Sequence, residues 1–263
     1  MVTRHINFLE VELAVKLLQR NTRNISITDA GRQYYRHCIA ILDALEEAEA
    51  EIGELTQQPK GNLRISVPMD FGCTHLVPIM ARFNRLYPDV HLDIDFSDKR
   101  VDLTESGIDI AIRGGALGGD QFVAKPLSVI RSLVCASPAY IEAHGLPKVP
   151  EDLKQHNCLL YTNSASTGRW DFQKQGQYFQ VQVMGSLQAN NGGALTRLAV
   201  AGVGVIRQPD FLVEKYLESG ELLLLLEDFG AIEGRFYAVY PQRKFLSRKT
   251  RLLVDFLTEH LSA

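Results

Sequence analysis

Apolar positions along this chain follow two different periods, and the change from one to the other divides it. Val2, Ile6, Leu9, Leu13 and Leu17 recur every three or four residues, which lays one apolar stripe along a helix over residues 2–18. Asn and Thr in the segment Arg20-Asn21-Thr22-Arg23-Asn24 favour a turn, and Ile25 and Ile27 alternate with Ser26 and Thr28 as in a short strand. Thr28 or Asp29 can cap the next helix. In that helix Tyr34, Cys38, Ile41, Leu45, Ala48, Ile52 and Leu55 are spaced 4, 3, 4, 3, 4, 3, a heptad seam. So narrow a stripe with strongly charged flanks predicts a rod that buries its seam on a second copy rather than on the chain's own body. The polar segment Gln57-Gln58-Pro59-Lys60-Gly61, with its helix breaker, ends the rod.

Beyond this hinge, strand-like and helix-like patterns alternate. Leu63, Ile65 and Val67 predict a strand, Leu76, Ile79, Met80, Phe83 and Leu86 a helix stopped before Pro88, and Val90, Leu92, Ile94 and Phe96 a second strand. A short helix over 101–106 and a third strand over 108–113 complete a βαβαβ order, which implies a mostly parallel sheet. A second series follows. Strands are predicted at 133–136, 159–161, 178–183, 204–207, 222–226 and 235–240, and helices at 138–144, 194–201 and 210–219, with a final helix carrying Leu252, Leu253, Phe256 and Leu257. Each α/β unit is too small to close a sheet alone, so two lobes joined by crossing strands are expected. The crevice between them, at the carboxyl ends of the strands, is the default ligand site.

Composition narrows the classes. With 46% hydrophobic and 22% charged residues in 263, the chain is globular, and no apolar run approaches the ~18 residues of a membrane span. The N-terminus has no secretory pattern, and Cys38, Cys73, Cys135 and Cys158 are scattered, which reads as reduced thiols in a cytoplasmic protein. Net charge is −3, but residues 1–36 carry +3 and residues 37–56 carry −6, a basic head on an acidic rod. Helix plus basic hairpin outlines a winged DNA-binding unit, although a plain surface hairpin has the same composition.

Specific motifs settle the comparison. Val2-Thr3-Arg4-His5-Ile6 through Leu9-Glu10, Leu17 through Arg23, and Ser26-Ile27-Thr28-Asp29-Ala30-Gly31 stand in order before the hinge. Gly61 through Ile65, Ala81-Arg82-Phe83, Tyr87-Pro88-Asp89-Val90, Asp109 through Arg113, Ala136-Ser137-Pro138-Ala139-Tyr140 and Ala201-Gly202-Val203-Gly204-Val205 follow it. Over essentially the whole length the chain resembles a LysR-type transcriptional regulator. The resemblance implies an α/β architecture: a partial winged helix-turn-helix, a long linker helix, and a two-lobed effector domain shaped like a periplasmic binding protein. The implied division is 1–28 for the partial head, 29–56 for the dimerisation helix, 57–61 for the hinge and 62–263 for the effector domain. Lobe I would hold about 62–130 and 242–263, and lobe II about 131–241. Family members carry two further helices before the position of Met1, so the chain is expected to begin inside the recognition helix. That departure opens an alternative, a small-molecule-binding and oligomerisation module without DNA binding.

By the same resemblance, Thr3 and Arg4 face the major groove, and Arg20, Thr22 and Arg23 belong to the wing, where arginine grips phosphate. Met69, Asp70, Phe71, Ser97, Arg113, Gly114, Asn190, Asn191, Arg207 and Gln208 face the inter-lobe cleft. Arg113 and Arg207 could pair with an effector carboxylate, or with Asp70 or Asp210 across the cleft. Asp70 stands where the family often has a small polar residue. The implied partners are a promoter dyad of double-stranded DNA, a small-molecule effector and further copies of the chain as a homodimer or homotetramer, with no membrane. No cofactor and no metal are expected. Asp93, Asp95, Asp98 and Asp102 read as a solvated face rather than a metal site, and Cys73 as a buried structural thiol. The segment Arg113–Gly119 lacks a G-K-[ST] ending, and no nucleophile signature supports an α/β enzyme.

Overall fold

A computed structural model describes residues 2–20, 25–52, 59–99, 103–115, 122–164, 167–230, 232–242 and 246–261. The first helix, α1 (Val2–Glu12), is shorter than the apolar stripe predicts. Ala14 takes φ 51°, in the left-handed region, and the chain turns into β1 (Leu18–Arg20), which pairs antiparallel with β2 (Ile25–Ile27). Glu10 fixes that turn. Its carboxylate accepts from Lys16 Nζ at 2.7 Å, Leu17 N at 2.9 Å and Leu18 N at 3.0 Å, and these bonds pull its pKa down to about 2. Of the predicted stripe, Leu17 is buried, Ile6 and Leu9 are half-buried and Leu13 is exposed, as are Phe8 and Val11 outside it.

Thr28 joins the hairpin to the rod. Its hydroxyl accepts from Gly31 N at 2.9 Å, as an N-cap does, and donates toward the carbonyls of Lys16 and Leu17 at 2.7 and 3.1 Å. Helix α2 (Asp29–Ile52) follows. Gly31 is indispensable at this joint, because a Cβ there would stand 2.1 Å from the Leu17 carbonyl oxygen.

The body begins with β3 (Gly61–Val67), then α3 (Met69–Phe71), a π turn at Gly72–Leu76 and α4 (Val77–Leu86). The helical segment therefore starts at Met69, ahead of the predicted Leu76. The π turn crosses closely over the sheet, where a Cβ on Gly72 would meet Phe96 and Val67 at 2.8 Å. Cys73 lies in this turn and is exposed rather than buried. Strands β4 (Val90–Phe96) and β5 (Ile110–Gly114), with α5 (Leu103–Ser106) between them, flank β3 in parallel. Then come β6 (Phe122–Ala136), α6 (Pro138–His144), β7 (Leu160–Tyr161), β8 (Arg169–Lys174), β9 (Gln177–Gln182), β10 (Gln188–Ala189) and α7 (Gly192–Val200). The chain closes with β11 (Ile206–Pro209), α8 (Asp210–Glu218), β12 (Leu223–Leu225), β13 (Ile232–Pro241) and α9 (Arg248–Leu261).

One seven-stranded sheet in the order β11-β6-β13-β5-β3-β4, with β12 also on β6, runs through both lobes. Only its β5-β3-β4 part is parallel; β6, β11, β12 and β13 are antiparallel, which corrects the mostly parallel expectation. The crossing strand β6 is far longer than the predicted 133–136. Pro126 and the polar residues around it argue against a central strand, but Pro126 sits beside a register shift between Arg235 and Tyr237, where a missing N–H is tolerated. The first lobe's core gathers Leu63, Ile65, Val67, Phe83, Ile110 and Ile112 under Leu253 and Leu257 of α9. The second lobe has a core around Trp170, Phe172, Val181 and Val205 and another around Leu195, Ile206 and Val213.

Gly31→Ala is expected to destabilise the head-to-rod joint by ~1–3 kcal/mol, as overpacking against backbone does. Hydrogen exchange should accelerate over residues 17–31 and stay unchanged in the two lobes. Unchanged protection at Leu17, Leu18 and Thr28 would refute the close approach.

Candidate functional site

A cleft of about 520 Å³ lies where the carboxyl ends of β3 and β5 face β7, β8 and β11 across the crossing strands. Side chains reach it for topological reasons: residues just past a strand's end escape the packed sheet and face the crevice. The first lobe supplies Pro68, Asp70 and Phe71 after β3, Asp98 after β4, and Arg113 and Gly114 at the end of β5. Lobe II supplies Tyr161, the run Arg169-Trp170-Asp171 on β8, and Arg207 and Gln208 on β11. The floor comes from the crossing strands, with Ile130 and Ser132 on β6 and Phe236 on β13.

Of the expected effector residues, Asp70, Phe71, Arg113, Gly114, Arg207 and Gln208 are brought together in this cleft. Three are placed elsewhere, and Asn191 stands at the rim, its Nδ2 toward Asp70. Met69 is 40% exposed, with its N–H donating to Asp98 Oδ1 at 3.2 Å. Ser97 turns aside, its N–H donating to the Val67 carbonyl and its hydroxyl accepting from Lys99 N. Asn190 is exposed, its carbonyl accepting from Asn163. Asn191 caps α7, its Oδ1 accepting from Ala194 N at 2.7 Å.

Neither arginine forms the anticipated ion pair with Asp70 or Asp210. Arg113 donates to the Ile112 carbonyl and Ser66 Oγ, both at 2.7 Å, and more loosely to the Ser66 and Lys99 carbonyls. Its donors are thus committed to the first lobe. Asp210 accepts from Arg131 N and Phe211 N. Arg207 differs: among the described residues its side chain makes no hydrogen bond or ion pair, and burial lowers its pKa against the opposing pull of Asp171. Beside it Gln208 is only 3% exposed, and its Nε2 is buried without a hydrogen-bond partner. Two donors that line the cleft without hydrogen-bond partners among the described residues, one of them charged, are what an acceptor-bearing ligand would satisfy.

Comparison with known proteins agrees over both the head and the body. The family profile described as the LysR substrate binding domain matches residues 56–262. An uncharacterised HTH-type transcriptional regulator of Haemophilus influenzae is 36% identical over 249 residues, covering 95% of this chain and 86% of that protein. The HTH-type transcriptional activator TtdR of Escherichia coli is 30% identical, covering 97% of this chain and 83% of that one. The solved structure of CrgA, a LysR-type regulator from Neisseria meningitidis, superposes with a TM-score of 0.70 at 34% identity, covering 100% of this chain and 89% of that chain. The full-length Vibrio cholerae virulence activator AphB gives 0.69 at 28% identity, covering 99% of this chain and 89% of that chain.

The chain belongs to the LysR family of transcriptional regulators.

In this LysR-type chain the head and rod residues stand as follows. Thr3 and Arg4 are exposed on α1, and Arg20 ends β1; Thr22 and Arg23 lie outside the described residues. On α2, Tyr34 and Cys38 are half-buried, while Ile41 and Leu45 are 68% and 54% exposed. Ala48 and Ile52 belong to the same helix, and Leu55 lies outside the described residues. The hinge residues Gln57 and Gln58 and the glycine-rich run 116–119 lie outside them too.

Sequence reasoning missed several cleft residues of this LysR protein. Asp98 is one: Asp93 pairs with Arg64 at 3.2 Å and Asp95 is exposed, as a solvated face requires, but Asp98 turns into the cleft. Burial raises its pKa, aided by Asp70 and opposed by the N–H of Met69 and by Arg113. Its position directly after Ser97, at a strand's end, was the available signal. Asp102 lies outside the described residues. Trp170 is another, on a strand whose alternation of buried Trp170 and Phe172 with polar neighbours is present in the sequence. An aromatic cluster links the lobes beside the cleft. Phe71 stacks on Phe236 at 3.9 Å and on His75 at 5.0 Å between centroids, and Phe211 meets Phe71 and His75 edge-on at 5.7 and 5.2 Å.

His75 in that cluster is half-buried and its Nδ1 is buried without a hydrogen-bond partner. Burial pushes its pKa below the ordinary 6.5, against Asp210 and Glu214 on α8, and His156 is shifted the same way. Between the depressed native value and 6.5 the unfolded chain binds a proton that the native state refuses. The two histidines therefore leave stability intact above pH 6.5 and remove it as pH falls through that window. In His75→Phe the denaturation midpoint should fall less between pH 7.5 and about 5.5 than in the parent, with the share of His156 remaining. An unaltered pH slope would refute the assignment.

Proposed function

We propose that this chain is a ligand-responsive, DNA-binding transcriptional regulator whose effector is a small acceptor-bearing molecule held between the two lobes. The observation that carries the effector half is the pair Arg207 and Gln208, donors at one wall of the cleft that find no partner among the described residues. A carboxylate is the group that Arg207 suits, and Gln208, leaving the strand on its other face toward α7, offers a separate neutral donor. Phe71, Phe236, Phe211, Trp170 and Leu159 give the molecule an apolar bed. Asp98 on the opposite wall restricts how much negative charge it can carry there.

In this reading α1 presents Thr3 and Arg4 to DNA, and the hairpin presents Arg20, Thr22 and Arg23 to phosphate. The exposed Ile41 and Leu45 on α2 support burial of the rod's seam against a second copy, as a homodimer or a pair of dimers. The acidic residues that follow the basic head along the rod keep the electrostatic attraction to DNA confined to one end of the molecule. Effector binding acts only so far as it favours one arrangement of the lobes over the other, and the rods pass that preference to the heads. Among the described residues no helix is long and apolar enough to cross a membrane.

The test is fluorescence anisotropy of the chain against fragments of the DNA upstream of its own gene, across a salt series. Sequence-preferring binding that weakens steeply with salt is expected, and Arg4→Ala should weaken it and reduce the salt slope by about one. In parallel, a panel of small monocarboxylic acids should raise the thermal midpoint of the parent, and Arg207→Ala should abolish the rise. Salt-independent or sequence-blind binding would overturn the DNA half. A carboxylate response that survives Arg207→Ala would overturn the effector half.

A further inference from the structure

The cleft contains a second place fit for an anion, and the chain fills it with its own side chain. Helix α7 of the second lobe points its N-terminus at the first lobe. Its free N–H groups and the helix dipole favour negative charge there. Asp70, in the first turn of α3 across the cleft, reaches it. Asp70 Oδ2 accepts from Gly193 N at 3.0 Å, and Asn191 Nδ2 lies 3.3 and 3.4 Å from the two carboxylate oxygens. The cap residue Asn191 supplies the next acceptor, to Ala194 N.

The room for this carboxylate is built in. A Cβ on Gly192 would stand 3.2 Å from Asp70 Oδ2 and 2.8 Å from Gln208 Oε1, and one on Gly193 would stand 3.0 Å from Asp70 Oδ1. Gln208 ties this corner to the ligand side of the cleft. It packs against Gly192 through its oxygen, while its buried amide nitrogen has no partner. The corner is thus divided: the α7 end is already neutralised by Asp70, and the Gln208 end is still open.

We infer that Asp70 is a specificity-determining residue of the cleft, an internal carboxylate that occupies the α7 anion position and refuses it to the effector. This inference rests on the effector reading above, and it deepens that reading. The effector of this chain brings one acidic group, to Arg207, and no second acidic group to α7. A dianion long enough to span both ends would set its far carboxylate against that of Asp70, and like charges at hydrogen-bond range repel. Because Asp70 belongs to one lobe and α7 to the other, the same contact holds the lobes together when no effector is present.

The experiment uses inorganic sulfate on the whole chain, at ionic strength held constant with chloride. The readouts are the thermal midpoint and the fluorescence of Trp170, the single tryptophan, which lines the cleft. Arg207→Ala serves as the parent, so that the Arg207 position cannot bind the probe. In that background Asp70→Ser is expected to uncover the α7 position and raise the apparent sulfate affinity about tenfold, the scale of an anion at a helix N-terminus. Asp70→Ala should do the same and stands in if the serine variant does not fold. Equal sulfate responses with and without Asp70 in a folded variant would overturn the inference. These outcomes do not involve DNA or an effector. A gain on removing Asp70, together with an unsubstituted chain whose midpoint ignores every monocarboxylic acid, would leave the occupied α7 position standing and reject the effector reading instead.

Discussion

Antiparallel pairing of β6 with β13 is the constraint on which the rest of this molecule depends. The pairing runs from Phe122 opposite Pro241 to Ser132 opposite Ile232, with one register shift between Arg235 and Tyr237. The far end of β13 pairs with β5 of the first lobe, and the far end of β6 carries β11 and β12 of the second. Each lobe therefore borrows the strands that complete its sheet. Leu127 and Phe236 lie in the first core, whereas Val134 and Ala136 of the same β6 lie in the second. Neither lobe can be separated without exposing strand edges, and the middle of the two strands connects them and forms the floor of the cleft. A ligand site with two walls and a bendable base follows from the strand order.

Much of this architecture was legible in the sequence because its causes are local. The alternation in 61–67 and 90–96, the Ser137-Pro138 start and Gly145 stop of α6, and the heptad spacing along α2 are all short-range signals, and those elements stand where the patterns place them. What was illegible depends on distant partners. Residues 122–132 carry no strand prediction, because Pro126 and interspersed polar residues mask a strand that is held by β13, a hundred or more positions away. α1 stops early because the side chain of Glu10 captures the N–H groups of Leu17 and Leu18, a bond that no periodicity announces.

The cleft shows the same division. The family resemblance assigned Asp70, Phe71, Arg113, Gly114, Arg207 and Gln208 to one cleft, and the fold brings them together as neighbours in space. The resemblance could not tell their roles apart. Arg113 and Arg207 are equivalent in sequence logic, each the last arginine of a strand. Ser66 Oγ and the carbonyls around it absorb the donors of Arg113, while the Arg207 side chain makes no hydrogen bond among the described residues and feels only the pull of Asp171. Hydrogen-bond satisfaction, not residue type, separates a structural arginine from one available to a ligand. Asp98 escaped notice for the opposite reason. It shares its spacing with the solvated Asp93 and Asp95 and leaves their face only because the strand ends.

Whether such a cleft can act as a switch is a question of magnitude. The lobes touch across it through the bonds of Asp70 to Gly193 and Asn191 and through the edge-on contacts of Phe211 with Phe71 and His75. A charge-assisted hydrogen bond contributes ~1.5–3 kcal/mol net, and an aromatic pair ~0.5–1.5 kcal/mol beyond its buried area. Together these contacts favour the observed arrangement by a few kcal/mol, on the scale of the ~1–3 kcal/mol coupling through which allosteric ligands act. A bridge of tens of kcal/mol would lock the lobes against any small molecule, and no bridge would leave them with nothing to exchange. The effector domain is thus held in one arrangement by interactions of the same size as those a ligand can offer in return.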